Sequence, residues 1–180
     1  MATRSLMAYH SSHNSDSVQL VCGLPILPIK TSAKGPAPSF DGDEKTDIVG
    51  EAITFFRANV LFKNFEFNGP ADKLLVYLTL FISQCLQYCD KQMTRTDGAK
   101  QLNKLVCEPF KVPGDSTFCL GGMVSPPASA SESDLIKQYL RQLREEVSLR
   151  LMNYLYPEPE GRLSKWWMSF SKKKFLNKTI

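Results

Sequence analysis

The chain has 180 residues, a length typical of one domain. Hydrophobic residues make up 43% of it and charged residues 22%, which excludes a largely disordered or fibrous chain and leaves enough apolar surface for a core. The longest apolar run, from Leu74 to Ile82 and broken only by Thr79, is far shorter than the roughly 20 residues of a membrane-spanning helix, so we expect no membrane span.

The net charge of +4 is distributed unevenly. Residues 161–180 carry six lysines and arginines and no acidic residue, whereas the other 160 residues carry 16 cations and 18 anions, a net charge of −2. The positive potential is therefore local to one end, and the chain lacks the overall basic character of a protein that binds nucleic acid through charge alone.

The cysteines and the first residues indicate a compartment. The five cysteines are odd in number and contain no C-x-x-C pair, and the chain begins without an apolar stretch of signal-peptide length. We therefore expect reduced thiols in the cytoplasm.

Residues 1–45 show few helical signals. Proline alternates with aliphatic residues in Leu24-Pro-Ile-Leu-Pro-Ile29, and further prolines follow in Lys34-Gly-Pro-Ala-Pro38. Because proline fixes φ, lacks an amide donor and favours extended geometry before it, we predict an extended N-terminal arm over residues 1–45. Its aliphatic side chains should pack on a helical domain of residues 46–180, so that the two form one structural unit.

Two helices are predicted next. Thr46 is the expected cap of the first, with Asp47 in its first turn and an end near Lys63. Pro70 suits the first position of the second, which should run to about Lys91. This second segment is apolar on most sides, so we expect it to be the central helix of the core.

A short helix capped by Asp97 should follow, and then a loop region rich in proline and glycine. A long helix is predicted from Glu132 to Tyr156, with Ser131 as its cap. Its apolar stripe consists of Ile136, Leu140, Leu143, Val147, Leu151 and Tyr154. Glu146 and Arg150 are spaced as an i, i+4 pair, which we expect on the solvent-exposed side.

The last predicted helix runs from Ser164, its expected cap, to about Phe175. One apolar face is expected on it, formed by Leu163, Trp166, Trp167 and Phe170. The sequence as a whole therefore predicts an all-α single domain of four to five helices with an extended, proline-rich N-terminal arm.

Catalytic and metal-binding patterns are weak. His10 and His13 are the only histidines, and with Cys22 as a conceivable third ligand they still lack the second pair that a zinc site usually has. Neither a phosphate-binding glycine loop nor an activated Cys-His pair is present. We therefore expect no metal, no cofactor and no enzymatic activity.

The basic C-terminal segment is the candidate partner interface. Its side chains are Lys165, Trp166, Trp167, Lys172, Lys173 and Lys174. Three interpretations remain open from the residues alone. Both indoles could be core residues beside solvated lysines, the segment could bind an acidic and apolar protein partner, or it could contact a membrane surface or single-stranded nucleic acid.

Several sequence motifs occur in one order along the chain. The N-terminal motifs are Tyr9-His-Ser-Ser12, Leu24-Pro-Ile-Leu-Pro-Ile-Lys30, Lys34-Gly-Pro-Ala-Pro38, Thr46-Asp-Ile-Val-Gly-Glu-Ala-Ile53 and Pro70-Ala-Asp-Lys73. The later ones are Val112-Pro-Gly114, Tyr139-Leu-Arg-Gln-Leu-Arg-Glu-Glu146, Ser164-Lys-Trp-Trp167 and Lys174-Phe-Leu-Asn-Lys178. Together they resemble subunit 3 of the actin-related protein 2/3 complex, the ~21 kDa subunit, whose mass fits the single domain predicted above. The similarity extends from Tyr9 to Lys178 and is weak between about Tyr88 and Phe110.

This resemblance implies a non-enzymatic structural subunit of a complex that nucleates branched actin filaments. It implies a position against the actin-related protein 3 subunit, contact with actin filaments through the complex, and a place in the actin cytoskeleton of the cytoplasm. The alternative function is a free-standing helical protein that binds a membrane surface or nucleic acid through the basic C-terminal tail.

Overall fold

A computed structural model of the protein describes residues 7–42, 45–158 and 161–180. Its helices are α1 (Ile48–Asn59), α2 (Pro70–Tyr88), α3 (Arg95–Cys107), α4 (Ala130–Leu155) and α5 (Lys165–Met168). Its strands are β1 (Leu20–Val21) and β2 (Leu24–Pro25), and a 3-10 helix spans Phe175–Asn177. The prediction of a single domain with four to five helices is confirmed.

Helix α2 is the centre of the core. Pro70 occupies its first position, where a backbone amide has no partner within the helix, so the amide hydrogen that proline lacks is not needed. Fourteen of its 19 residues are buried, and it packs against α1, α3, α4 and β2, so it is enclosed on most sides. The predicted central helix is therefore confirmed, although it ends at Tyr88 rather than near Lys91.

Helix α1 begins one residue later than predicted. Asp47, not Thr46, is its cap, because an Asp47 carboxylate oxygen accepts a hydrogen bond from the Gly50 amide at 2.9 Å. The helix ends at Asn59, and its last turn closes when the Val60 amide donates to the Phe56 carbonyl. The predicted end near Lys63 is wrong.

Helices α3 and α4 also have different caps from those predicted. The Thr94 hydroxyl caps α3 by accepting from the Asp97 amide at 3.2 Å, so Asp97 lies in the first turn. The Ser129 hydroxyl caps α4 by accepting from the Glu132 amide at 3.1 Å, so Ser131 lies inside the helix. The predicted stripe of α4 is buried except for Tyr154, which is 47% exposed.

The prediction of an all-α domain is wrong in one respect, because β1 and β2 form an antiparallel hairpin. Leu20 lies opposite Pro25 and Val21 opposite Leu24. The two turn residues, Cys22 and Gly23, have φ values of 54° and 79°. Left-handed geometry at both positions is typical of the type I′ turn, whose twist matches that of the paired strands.

The remaining N-terminal residues lie on the helices without forming one extended element. Leu24, Leu27 and Ile29 are buried, and the Leu27 amide and carbonyl both hydrogen-bond the Tyr139 hydroxyl of α4. Because the segment contains turns, the hairpin and an isolated bridge, the predicted arm is not confirmed as a single extended structure.

A buried ion-pair network joins α1, α4 and the N-terminal segment. The Arg150 guanidinium donates to both carboxylate oxygens of Asp47, each at 2.7 Å, and to Glu146 at 2.5 Å. It also donates to the Lys30 carbonyl, while the Lys30 amide donates to Asp47 at 2.8 Å. Asp47 is fully buried and Glu146 nearly so. The expectation that Glu146 and Arg150 lie on the solvent side is therefore wrong.

The carboxylates of Glu51 and Asp72 bind residues 10–12 of the N-terminal segment. Glu51 accepts hydrogen bonds from the Ser11 hydroxyl at 2.6 Å and the Ser12 amide at 2.9 Å. Asp72 accepts from the Ser11 amide at 2.8 Å and lies 2.8 Å from the His10 ring nitrogen. Both carboxylates are buried, and these contacts satisfy them where water cannot.

Protonation of Asp47 is coupled to folding. Burial alone would raise the pKa of Asp47, but hydrogen bonds from Arg150 and from the amides of Gly50 and Lys30 lower it overall. A carboxyl group whose pKa is lower in the folded state stabilises the fold above its unfolded pKa, which is about 3.9. That contribution is lost as the pH falls through the folded-state pKa.

We expect Asp47→Asn to reduce the free energy of unfolding at pH 7 by about 3 kcal/mol, because it leaves Arg150 without its main partner. Asparagine is itself a good helix cap, so the loss of stability measures the effect of removing the charge rather than the effect of removing the cap. Urea denaturation measures the change, and the difference from wild type should shrink below about pH 4.

Asp16→Asn is the matched control, because Asp16 is exposed and makes no ion pair in the described part of the chain. It should change the free energy of unfolding by less than about 0.5 kcal/mol. Equal effects of the two substitutions, or a constant Asp47→Asn effect between pH 7 and pH 3, would contradict this role of the ion pair.

Candidate interaction surface

The C-terminal segment follows a different path from the predicted helix. Helix α5 contains only four residues, and turns and extended backbone follow it before the 3-10 helix. The Ser169 and Ser171 hydroxyls donate to the carbonyls of Trp166 and Met168, which offers the backbone a local alternative to continued helix. Ser164 precedes the helix, but its side chain makes no capping hydrogen bond. The prediction of a helix to Phe175 is wrong.

The two tryptophans face in different directions. Trp167 is 7% exposed, whereas Trp166 is 77% exposed. Successive residues of an α-helix are about 100° apart, so two neighbours cannot both point directly at the core. The predicted single apolar face that included both indoles is therefore wrong.

Trp167 attaches the segment to the body of the domain. Its ring stacks on Phe56 of α1 at a centroid distance of 5.6 Å and lies 5.8 Å from the ring of Tyr154 on α4. The Arg57 guanidinium lies 5.9 Å from the same indole, within the range of a cation–π contact. Phe170 packs edge-on against Phe56 at 6.3 Å. The indole of Trp167 is thus a structural contact between α1, α4 and the C-terminal segment.

The lysines of the candidate interface are exposed. Lys165 lies on α5, whereas Lys172, Lys173 and Lys174 lie on the turn and extended backbone before the 3-10 helix. None of the four makes an ion pair with a carboxylate of the described residues. We refer to these four lysines and Trp166, all within ten residues of the C-terminal segment, as the basic surface.

The loop that carries the three consecutive lysines is held at its far end. Phe175 is 1% exposed, and the Leu176 amide donates to the Phe62 carbonyl at 3.3 Å. Leu176 and Asn177 have left-handed φ values of 51° and 53°, which turn the chain back toward the core. The lysines are therefore displayed between two anchored aromatic side chains, Phe170 and Phe175.

An open groove of about 500 Å³ lies between α1, the N-terminal segment and the C-terminal segment. In it Tyr9 stacks on Phe55 at a centroid distance of 5.0 Å. The other lining residues are Thr54, Arg57, Ala58 and Phe170. We did not predict Tyr9 or Arg57 as surface residues of interest. No local pattern could have identified them, since Tyr9 reaches α1 only through the tertiary fold.

Both histidines make contacts within the fold, and four of the five cysteines are buried, the exception being Cys107. His10 contacts Asp72, and the His13 ring nitrogen lies 2.7 Å from the Thr46 carbonyl. The five cysteines, all in the described ranges, form no disulfide. Burial raises the pKa of Cys89 to about 11 and that of Cys119 to about 11, so both remain protonated and poorly nucleophilic at neutral pH.

Within residues 7–42, 45–158 and 161–180, no three His, Cys, Asp or Glu side chains come together as metal ligands. None of the helices described in these ranges is both long and apolar enough to cross a bilayer.

Comparison with known proteins identifies the family. The model of the family P21-Arc, described as the ARP2/3 complex ARPC3 (21 kDa) subunit, matches residues 6–180. The chain therefore belongs to this family of actin-related protein 2/3 complex subunits, and the resemblance found in its motifs is confirmed.

Individual relatives match over nearly their whole length. The protein named actin-related protein 2/3 complex subunit 3 of Dictyostelium discoideum is 44% identical, over 97% of this chain and 100% of the relative. Its namesake in Arabidopsis thaliana is 46% identical, over 97% and 99%. That of Schizosaccharomyces pombe is 42% identical, over 96% and 99%.

We expect Trp167→Ala to reduce the free energy of unfolding by about 3–5 kcal/mol, because it removes a buried indole from between α1 and α4. Trp166→Ala should change it by less than about 0.5 kcal/mol, because that indole is exposed. Urea denaturation of the two variants provides the comparison. A large loss from Trp166→Ala, or a small one from Trp167→Ala, would contradict the assignment of the two side chains.

Proposed function

We propose that the chain is a non-catalytic structural subunit of the actin-related protein 2/3 complex that supports the nucleation of branched actin filaments. The observation that carries this proposal is the match of the family and of named subunits over almost the entire chain. The protonated thiols of Cys89 and Cys119 and the structural roles of both histidines support a function without catalysis.

The proposed partners follow from the family resemblance. The chief neighbour is the actin-related protein 3 subunit, and contact with actin filaments occurs through the assembled complex. The proposed location is the cytoplasm, within the actin cytoskeleton. No nucleic acid and no cofactor take part.

The physical role of such a subunit is to offer a rigid surface. Association of proteins costs translational, rotational and side-chain entropy, and small actin oligomers dissociate before they grow. A subunit whose contact surface is already ordered lowers this cost for its neighbours. The anchored aromatic side chains beneath the basic surface supply that order here.

We assign the partner contact to the basic surface. Its lysines are exposed and unpaired with carboxylates in the described ranges, and Trp166 exposes most of its indole beside Lys165. Basic side chains next to an exposed indole suit an acidic partner surface with an apolar depression, on a neighbouring subunit or on filamentous actin. Trp167 supports this surface from the core.

The N-terminal residues 1–45 and the helical residues 46–180 act as one unit in this proposal. The ion pair of Asp47 with Arg150 and the contacts of Leu27 with Tyr139 support it. Residues 1–6 and 43–44 of the predicted arm lie outside the described residues.

A free-standing protein that binds membranes or nucleic acid through the basic tail is not favoured. The relatives that match along their full lengths are named as subunits of one complex, and six local cations alone do not specify such a ligand.

The test is reconstitution of the complex with wild-type chain, without the chain, and with Lys172, Lys173 and Lys174 all changed to Glu. Incorporation is measured by co-purification and branch formation by microscopy of growing filaments. Omission should abolish or strongly reduce branching. The triple reversal should reduce incorporation or branching at least roughly tenfold, because it puts like charges opposite an acidic partner.

The matched control reverses Lys100, Lys104 and Lys111, which are also exposed but lie on α3 and the loop after it. This variant makes the same change in net charge and should assemble and branch as wild type does. Normal branching without the chain would refute the proposed function. Normal branching with the Lys172–Lys174 reversal would refute only the assignment of the partner contact to the basic surface.

A further inference from the structure

A small groove lies between the second half of α2 and the C-terminal segment. Its volume is about 90 Å³. Ser83 and Gln87 of α2 line one side, and Lys173, Lys174 and Lys178 line the other. Lys173 and Lys174 also belong to the basic surface, but neither the proposed function nor the family match assigns a role to Ser83, Gln87 or Lys178.

Ser83 has a buried hydroxyl without a partner. The residue is 6% exposed, and its Oγ makes no hydrogen bond to any residue that the structure describes. One turn earlier, the Thr79 hydroxyl donates to the Leu75 carbonyl at 2.7 Å, the usual solution for a buried hydroxyl in a helix. Because a buried polar group without a partner costs stability, the free Ser83 hydroxyl points to a ligand that supplies one.

The opposite wall is positively charged. Lys173 and Lys174 are exposed and make no ion pair with the described carboxylates. The Lys178 ammonium is held in place by donating to the Cys119 carbonyl at 3.0 Å, which leaves two of its hydrogens available. No aspartate or glutamate side chain lines the groove, so a bound anion would reduce the repulsion among its three lysines.

The number of donors and the volume indicate which anion fits. Three ammonium groups, the Ser83 hydroxyl and the side-chain amide of Gln84, whose Oε1 is also buried without a partner, surround the space. These groups offer more donors and more positive charge than a single planar carboxylate matches. A phosphate group has three or more acceptor oxygens and a charge near −2, and lysine is a common phosphate ligand. A groove of about 90 Å³ is much smaller than the roughly 300–1,000 Å³ of sites that enclose a drug-sized ligand, so it suits one phosphate group rather than a whole nucleotide.

We propose that this groove binds a phosphate group, carried by a soluble phosphorylated small molecule or by a lipid headgroup, with the remainder of the ligand outside. The Ser83 hydroxyl and the Lys178 ammonium hold the inner oxygens, and Lys173 and Lys174 close over the outer ones. The inference goes beyond the proposed function and does not depend on assembly of the complex.

The test is calorimetric titration of the isolated full chain with pyrophosphate at low salt. Changing both Lys173 and Lys174 to Gln should weaken binding at least roughly tenfold, since two charge-assisted contacts are lost. Ser83→Ala should weaken binding roughly threefold or more without lowering the urea midpoint, because the hydroxyl it removes has no partner within the described chain.

Lys172→Gln is the matched control, because Lys172 is the adjacent exposed lysine but does not line the groove. It should weaken binding less than roughly twofold. Equal loss from Lys172→Gln and Lys173→Gln, unchanged binding by Ser83→Ala, or citrate binding as tight as that of pyrophosphate would each overturn the site.

A second arm distinguishes the two sources of phosphate. The chain is mixed with phosphatidylcholine vesicles with and without phosphatidylinositol bisphosphate. Binding only to the phosphorylated vesicles, displaced by pyrophosphate, would identify a lipid headgroup, whereas pyrophosphate binding without vesicle binding would identify a soluble ligand. These measurements use the chain alone. Failure to bind phosphate would therefore contradict the groove as a phosphate site without affecting the proposed role in the complex. Failure of the complex to assemble would likewise leave the result of the phosphate titration valid.

Discussion

The buried contact between Asp47 and Arg150 is the constraint on which the rest of the arrangement depends. It connects the start of α1, the last turns of α4 and the backbone at Lys30, three parts of the chain that are distant in sequence. The other end of α1 provides Phe56, against which the Trp167 ring stacks. The position of the C-terminal segment therefore follows from how α1 is held against α4.

This construction suits a protein that works by contact. The lysines before the 3-10 helix are long and flexible side chains, but the loop that carries them is anchored by Phe170 and Phe175. An anchored loop presents its charges in one arrangement, so less conformational entropy is lost when a partner binds. The same anchoring forms the small groove beside α2, where the free Ser83 hydroxyl and the cations meet. The packing of the core therefore fixes the backbone that carries these surface side chains.

Periodicity predicted the long helices α2 and α4 well, because each buries an apolar stripe set by its own residues. The hairpin was missed because its turn is Cys22-Gly23 rather than the asparagine–glycine pair that normally signals it. The burial of Glu146 and the partial burial of Arg150 were missed because their partner Asp47 lies far away in sequence. Likewise, composition located the basic surface but could not decide which tryptophan is buried, since a four-residue helix gives too short a pattern. Such features depend on tertiary contacts that no local pattern encodes.

The central claim is that this chain acts only as part of a larger assembly. The most direct measurement is size-exclusion chromatography of a native cell lysate, followed by mass spectrometry of the fractions that contain the chain. We expect the chain to elute far above its own mass of 20.3 kDa, together with both actin-related proteins. Elution of all of the chain near its own mass, without those proteins, would contradict it.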